Sequence, residues 1–397
     1  MKSRTLFYLI LITFLATFIP AMHAQTFSVI HTFTGQSDGA FPFSGVTIRG
    51  NSLYGTEFGN YSRVYQLTHS GSDWVLSTLS TLPKNPSPYA RVVFGPDGHL
   101  YGTSWGGGPY SFGTVFKLTP PVGICRDAAC YWTVNDVHDF GLGTDGQGPY
   151  YGDVIWDQQG NMYGTTFYGG TFGNGTVYEL TPSGNGYTES LLYSFSGPDG
   201  ANPCAGLVFD KKGNLFGTTG AGGSNNFGTI FELTYVPGVG WTEHVLYNFQ
   251  KISDGGYPEG GLIFDSAGNL YGTTPSGGSG GGGTVFELSP SGDTWTFKLL
   301  YSLSGNGYGP LAPLSMDGAG NLYGTTSTGG IYNWGYVFKL SNTQNGWVFT
   351  SLHDFTGGAD GKGSSNYVAI DIDGTLYGTT VMGGNPNGFG VVWMIKP

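Results

Sequence analysis

The chain has 397 residues, 72 of them glycine; 10% are charged, 16% are aromatic, and the net charge is −11. That acidic balance excludes a nucleic-acid-binding protein, which needs a basic footprint, and offers no attraction to anionic membranes. The aromatic content excludes a disordered glycine-rich chain, which lacks the apolar surface to offset chain entropy.

The N-terminus reads as an export signal. Lys2 and Arg4 precede an apolar run from Leu6 to Ile19, Pro20 breaks it, and Ala24 sits before the expected cleavage point. The run is shorter than the ~20 residues that span a bilayer. The expectation is a signal peptide over 1–24 and a single domain over 25–397, secreted or periplasmic. Without the signal, thirteen basic and 26 acidic groups leave a net charge of −13.

Next comes an isolated strand-like run, Phe27-Ser28-Val29-Ile30-His31-Thr32-Phe33, and then the first of seven markers. These are Leu53-Tyr54-Gly55-Thr56, Leu100-Tyr101-Gly102-Thr103, Met162-Tyr163-Gly164-Thr165, Leu215-Phe216-Gly217-Thr218, Leu270-Tyr271-Gly272-Thr273, Leu322-Tyr323-Gly324-Thr325 and Leu376-Tyr377-Gly378-Thr379. Their aromatic positions lie 47, 62, 53, 55, 52 and 54 residues apart. A fixed period of this size signals a repeat architecture. The longest interval holds an insertion with Cys125 and Cys130. A local disulfide between them is expected in an exported protein, two independent thiols being the alternative; Cys204 is left unpaired.

Each copy resolves into four short runs rich in β-branched and aromatic residues and bounded by turn formers. In the fourth copy these are Gly206 to Asp210, Leu215 to Thr219, Gly228 to Thr234 and Trp241 to Phe249. A lone four-stranded sheet cannot bury both faces, so the copies must stack, and radial stacking is the propeller solution. The last copy ends on a third strand, Gly390 to Lys396, while the N-terminus carries a spare fourth. Joining them removes two exposed sheet edges. The predicted fold is all-β: a seven-bladed β-propeller of four-stranded antiparallel blades, with the N-terminal strand completing the last blade.

The composite unit combines Gly-Leu-Val-Phe-Asp, Gly-Asn-Leu-Tyr-Gly-Thr-Thr and Gly-Thr-Val-Phe-Glu-Leu-(Thr/Ser)-Pro, clearest at Gly261 to Pro290 and Gly206 to Thr234. It resembles the GloVer tandem-repeat family of exported bacterial proteins. The resemblance implies no assigned activity and brings no catalytic residues. Family members often carry a C-terminal anchor segment; here the chain stops at Pro397, so release rather than surface retention is the expectation.

Recurrence sorts the residues that could act. Asp157, Asp210, Asp265, Asp317 and Asp371 close first strands, and Asp-Gly pairs recur in blade-to-blade loops at Asp38, Asp145, Asp199, Asp254 and Asp360. Short acidic side chains stabilise turns, which is preferred to a ring of calcium sites; no cofactor and no metal ligand set is expected. His31, His138 and His353 share a position with Tyr193, Tyr247 and Tyr301 and read as packing. Phe112, Phe227, Trp334 and Phe389, just before third strands, read as a packing layer between blades. The blade-specific residues are Trp105, Tyr110, Phe167, Tyr168, Phe172, Asn225, Asn226, Tyr332, Asn333, Asn385 and Asn387, all in glycine-rich loops. Aromatics among Asn, Ser and Gly suit sugars or protein loops. No catalytic motif is present. The expected function is a non-enzymatic, monomeric binding module for glycans or cell-surface proteins. A polysaccharide hydrolase or lyase using rim carboxylates, and a structural surface component, are the alternatives.

Overall fold

The computed structural model describes residues 25–59, 61–83, 86–122, 130–184, 186–250, 252–292, 294–305, 308–364 and 366–397. The strands form seven four-stranded antiparallel sheets in a ring. Blade 1 spans Val46–Arg49 to Asp73–Thr81, and blade 4 is Val208–Phe209, Leu215–Thr219, Thr229–Val236 and Gly240–Asn248. Blade 7 takes Ala369–Ile370, Leu376–Thr380 and Val391–Lys396 from the end of the chain. Its outer strand is the N-terminal Thr26–Thr32, antiparallel to Val391–Lys396. First strands are shorter than their apolar runs suggest. In blade 4 the Ala205 carbonyl, ahead of the strand, is taken by Thr165 of the preceding blade, and Asp210 has already turned back to Asn214.

The Leu-Tyr-Gly-Thr marker is the second strand, and each of its positions has a separate reason. The leucine and the aromatic point to opposite sheet faces and enter the cores on either side of the blade. Seven apolar clusters result, one per blade–blade interface. Tyr163, Phe195, Leu207, Leu215 and Phe231 fill the one between blades 3 and 4, and Phe33, Val46, Tyr65 and Tyr377 the one that closes the ring. The threonine ties neighbours together. Thr56, Thr103, Thr165, Thr218, Thr273, Thr325 and Thr379 each donate to a backbone carbonyl at the approach to the next blade's first strand, over 2.7–3.5 Å. Thr379 donates to Pro42, completing the circle.

The glycine makes room for a ring. Gly217 pairs with Phe231 across the sheet, and a Cβ built on Gly217 would lie 2.5 Å from the Phe231 ring. The same relation holds for Gly55 with Tyr65, Gly102 with Phe116, Gly164 with Tyr178, Gly272 with Phe286, Gly324 with Phe338 and Gly378 with Trp393. Gly217→Ala should therefore overpack a fully buried ring and cost ~1–3 kcal/mol. Denaturant unfolding should show this as a lower midpoint at unchanged slope.

The acidic residues that close first strands are turn anchors. Asp317 accepts from the backbone N–H groups of Ala319 and Asn321, from the Asn321 amide, and from the Tyr323 hydroxyl of its own marker at 2.9 Å. Asp157 and Asp265 repeat this with Tyr163 and Tyr271. Every blade also carries a bulge where its third and fourth strands pair, as at Val177/Tyr178 and Ile230/Phe231. Such a bulge re-aims the side chains beside it. In this way the outer-strand Tyr193 and Tyr247 reach Asp199 and Asp254 of the Asp-Gly turns, each at 2.6 Å.

Candidate functional site

Loops between second and third strands share a face with the blade-to-blade loops and pair with them. Gly146–Gln147 forms a two-stranded ladder with Tyr168–Gly169, and bridges join Ala201 to Ala221, Gly256 to Ser276 and Lys362 to Met382. On this face, in blades 1 to 6, the approach to the first strand brings one side chain toward the ring axis. These residues lie eleven or twelve positions before the marker aromatic: Phe43, Tyr89, Tyr151, Cys204, Glu259 and Leu311. Phe41, Phe43, Phe58, Tyr151, Leu311 and Met382 line a mouth of about 450 Å³ fed by blades 1, 3, 6 and 7.

From the mouth an aromatic surface runs outward across blades 1 to 3. Ring centroids are 5.3 Å apart for Phe43 and Tyr89, 5.2 Å for Tyr89 and Tyr150, 4.8 Å for Tyr150 and Trp105, 5.5 Å for Trp105 and Phe167, and 4.6 Å for Phe167 and Tyr168. Spacings of 4.5–7 Å are those of favourable offset and edge-to-face pairs. The surface is therefore continuous and rigid.

Next to the mouth, and sharing Phe43, Tyr151, Leu311 and Asn366 with it, lies a small cavity of about 20 Å³ lined by Arg91 and Asp153. Arg91 reaches across to Asp153 through its backbone N–H at 3.0 Å and its Nε at 2.8 Å, with Nη2 also on the carboxylate, and its guanidinium stacks 3.6 Å over Tyr367. The guanidinium holds Oδ2 and the backbone N–H holds Oδ1, so both carboxylate oxygens are fixed by charge-assisted or backbone hydrogen bonds beside the mouth. Burial raises Glu259 above the usual carboxylate range. It also raises Cys204 well above the ordinary thiol value, with Glu259 adding to the effect. A buried, protonated thiol is not a nucleophile. In blade 1 the hydroxyl residue that follows the marker elsewhere, serine in blade 2 and threonine in the others, is replaced by buried Glu57. It accepts from the Ala40 N–H at 2.8 Å and from Arg63 at 3.2 Å, and burial still pushes its carboxyl up to about 7.

Of the sequence-derived candidates, the structure brings Trp105, Phe167 and Tyr168 together on the aromatic surface. Tyr110, Phe172 and Tyr332 are exposed elsewhere on the loops. Asn226 and Asn333 adopt left-handed backbone and accept from Gly222 and Gly329; Asn225 donates to the Phe249 carbonyl, and Asn385 donates to that of Phe33 while accepting from the Asn387 N–H. Those hydrogen bonds stay within the loops. Among the aromatics ahead of third strands, Phe227 meets Tyr257 and Phe389 meets Phe41 edge-on, while Trp334 carries Lys362 over its face. Cys125 lies outside the described residues, and with it the expected disulfide to Cys130. The mouth residues Phe43, Tyr89, Tyr150, Tyr151 and Glu259 escape a reading that compares only the second-to-third-strand loops. Aligning Pro42-Phe43, Pro88-Tyr89 and Pro258-Glu259 between copies is the signal that would have found them. Among the described residues one mixed cluster holds metal-type donors at close separations, His138 and Glu189 on outer strands and Asp145 in a blade-to-blade loop. No helix among the described residues is long and apolar enough to cross a membrane.

A family model described as the Gloeobacter/Verrucomicrobia repeat matches residues 56–265, 131–316 and 234–397. No curated protein sequence matches the chain. Among solved structures, the chain is similar to the extracellular domains of two proteins described as hybrid two-component systems of B. thetaiotaomicron. The first has a TM-score of 0.56 at 13% identity over 94% of this chain and 41% of that one; the second has 0.56 at 12%, over 93% and 39%. It is also similar to an ancestral GH74 enzyme, with a TM-score of 0.54 at 11% identity over 90% and 48%. The chain spans less than half the length of these three. At such identities the likeness is one of fold.

Proposed function

The chain belongs to the Gloeobacter/Verrucomicrobia repeat family, and on that scaffold we propose a non-enzymatic binding protein, exported from the cytoplasm, that takes glycans at its aromatic mouth. The observation that carries the reading is the unbroken aromatic surface that runs from Phe43 at the mouth through Tyr89, Tyr150 and Trp105 to Tyr168. Flat rings stack on the apolar faces of sugars, and the Arg91–Asp153 pair beside the mouth supplies fixed polar groups for sugar hydroxyls. The basic-then-apolar N-terminus supports export.

The hydrolase reading has less support. Glycoside hydrolysis uses two carboxyl groups flanking the bond. At the mouth Asp153 is held by Arg91, so the described residues supply one uncompensated carboxyl, Glu259.

The test is calorimetric titration of the protein with a panel of neutral and acidic oligosaccharides, beside Tyr151→Ala and Tyr168→Ala. Each lost ring contact is worth ~0.5–1.5 kcal/mol, so each variant should bind about two- to tenfold more weakly with its melting temperature little changed. A panel that shows no binding, or binding that neither variant weakens, overturns the proposal. Release of reducing ends that Glu259→Gln abolishes would establish the enzymatic alternative instead.

A further inference from the structure

The outer edge of the ring repeats one arrangement, and the interface between blades 2 and 3 fills it with three metal-type donors. At most interfaces a His or Tyr near the end of a fourth strand reaches the aspartate of the following Asp-Gly turn, and a residue from the next blade's fourth strand covers the pair. Tyr247 donates to Asp254 at 2.6 Å beneath Phe297, which stacks on it at 4.1 Å. His353 bonds Asp360 at 3.0 Å beneath Phe27, stacked at 3.7 Å. Between blades 2 and 3 the covering residue is Glu189, and His138 Nε2 stands 3.5 Å from Asp145 Oδ1, as His31 Nε2 stands 3.5 Å from Asp38 Oδ2 where no carboxylate covers the pair. One nitrogen and two carboxylate oxygens there lie within 4.8 Å of one another. His138 Nε2 and Glu189 Oε1 are sealed from solvent and make no hydrogen bond.

From this we propose that His138, Asp145 and Glu189 form a binding site for a divalent transition-metal ion, water supplying the remaining ligand. Donors around a tetrahedral ion at ~2.1 Å stand ~3.4 Å apart. The histidine–aspartate separation already matches that edge, while it is long for a hydrogen bond. The Asp145 carboxylate is pinned by the N–H groups of Gly141 and Gly146 at 2.6 and 2.7 Å, so it is oriented before any ion arrives. The imidazole nitrogen among the oxygens favours a transition metal over calcium. His31 Nε2 and Glu243 Oε1 are unpartnered singly along the same edge, but here two such atoms fall together, a costly arrangement unless something joins them, and one cation joins both. The ion would clamp the outer strand Thr133–Asp139 of blade 2, the loop after it, and Gly186–Ser194 of blade 3. Between blades 3 and 4 Glu243 occupies the covering position of Glu189, but the partner is Tyr193, whose hydroxyl bonds Asp199 at 2.6 Å. That interface lacks the nitrogen and serves as an internal control.

The test uses untagged, chelator-dialysed full chain with Zn²⁺ as the probe, read by calorimetry and thermal melting, beside His138→Tyr and Glu189→Gln. His138→Tyr installs the residue that the ring already carries at Tyr193 and Tyr247, so it should fold. The expected result is one Zn²⁺ per chain and a melting temperature raised by about 3 °C at a hundredfold excess over Kd. Both variants should lose affinity at least tenfold and lose the shift, with metal-free melting preserved. No stoichiometric binding, binding untouched by both substitutions, or tighter binding of Ca²⁺ than of Zn²⁺ overturns the assignment.

Discussion

A chain starting after Thr34 is expected to aggregate. Residues Thr26–Thr32 form the outer strand of blade 7, paired along Val391–Lys396 from Thr26 opposite Lys396 to Thr32 opposite Val391. Removing them strips the hydrogen-bonding partners from that strand and leaves a long apolar edge, a template for another chain. The loss extends into the core. Phe33 is fully buried against Tyr65 in the cluster that closes the ring, and Phe27 stacks on His353 of blade 6. Deleting one such buried ring costs ~3–5 kcal/mol, a large share of the 5–15 kcal/mol that native proteins typically have. Light scattering after size exclusion, with a thermal melt, measures both consequences. A truncated protein that stays monomeric with an unchanged melting temperature would mean that the N-terminal strand does not hold the ring shut.

Tyr271→Ala should be among the most damaging single substitutions, and Tyr332→Ala nearly silent. Tyr271 is 5% exposed at the interface between blades 5 and 6, edge-on to Trp347, with its hydroxyl on Asp265 at 3.2 Å. Truncation opens a cavity in a packed interface and removes one partner of a turn anchor, for a loss of ~3–5 kcal/mol. Tyr332 is 53% exposed at a loop tip. Its replacement should fall within ~0.5 kcal/mol. Reversible denaturant unfolding of both variants beside the parent decides the matter. Equal losses would break the link between recurrence in the repeat and burial in the fold.

That link is why so much of the scaffold is legible in the sequence. A side chain present in every copy meets the same neighbours in every blade, so the leucine, aromatic, glycine and threonine of the marker announce positions with one fixed environment. Strand number, ring closure by Phe27 to Phe33 and the turn role of Asp157 and Asp317 follow from that repetition and from elementary turn chemistry. The site does not follow in the same way. Phe43, Tyr89, Tyr151 and Glu259 differ in type from copy to copy and lie far apart along the chain. Only circular closure gathers them at one axis, where Arg91 of blade 2 can meet Asp153 of blade 3 beneath Tyr367 of blade 7. The outer edge shows the same division. His138 reads in sequence as one more packing residue beside its tyrosine counterparts. That it faces Glu189, where blades 5, 6 and 7 place a phenylalanine, depends on strands paired in different sheets, a proximity no local pattern encodes. Repetition along the chain therefore determined the scaffold, and the packing of unlike copies around one axis decided where its chemistry lies.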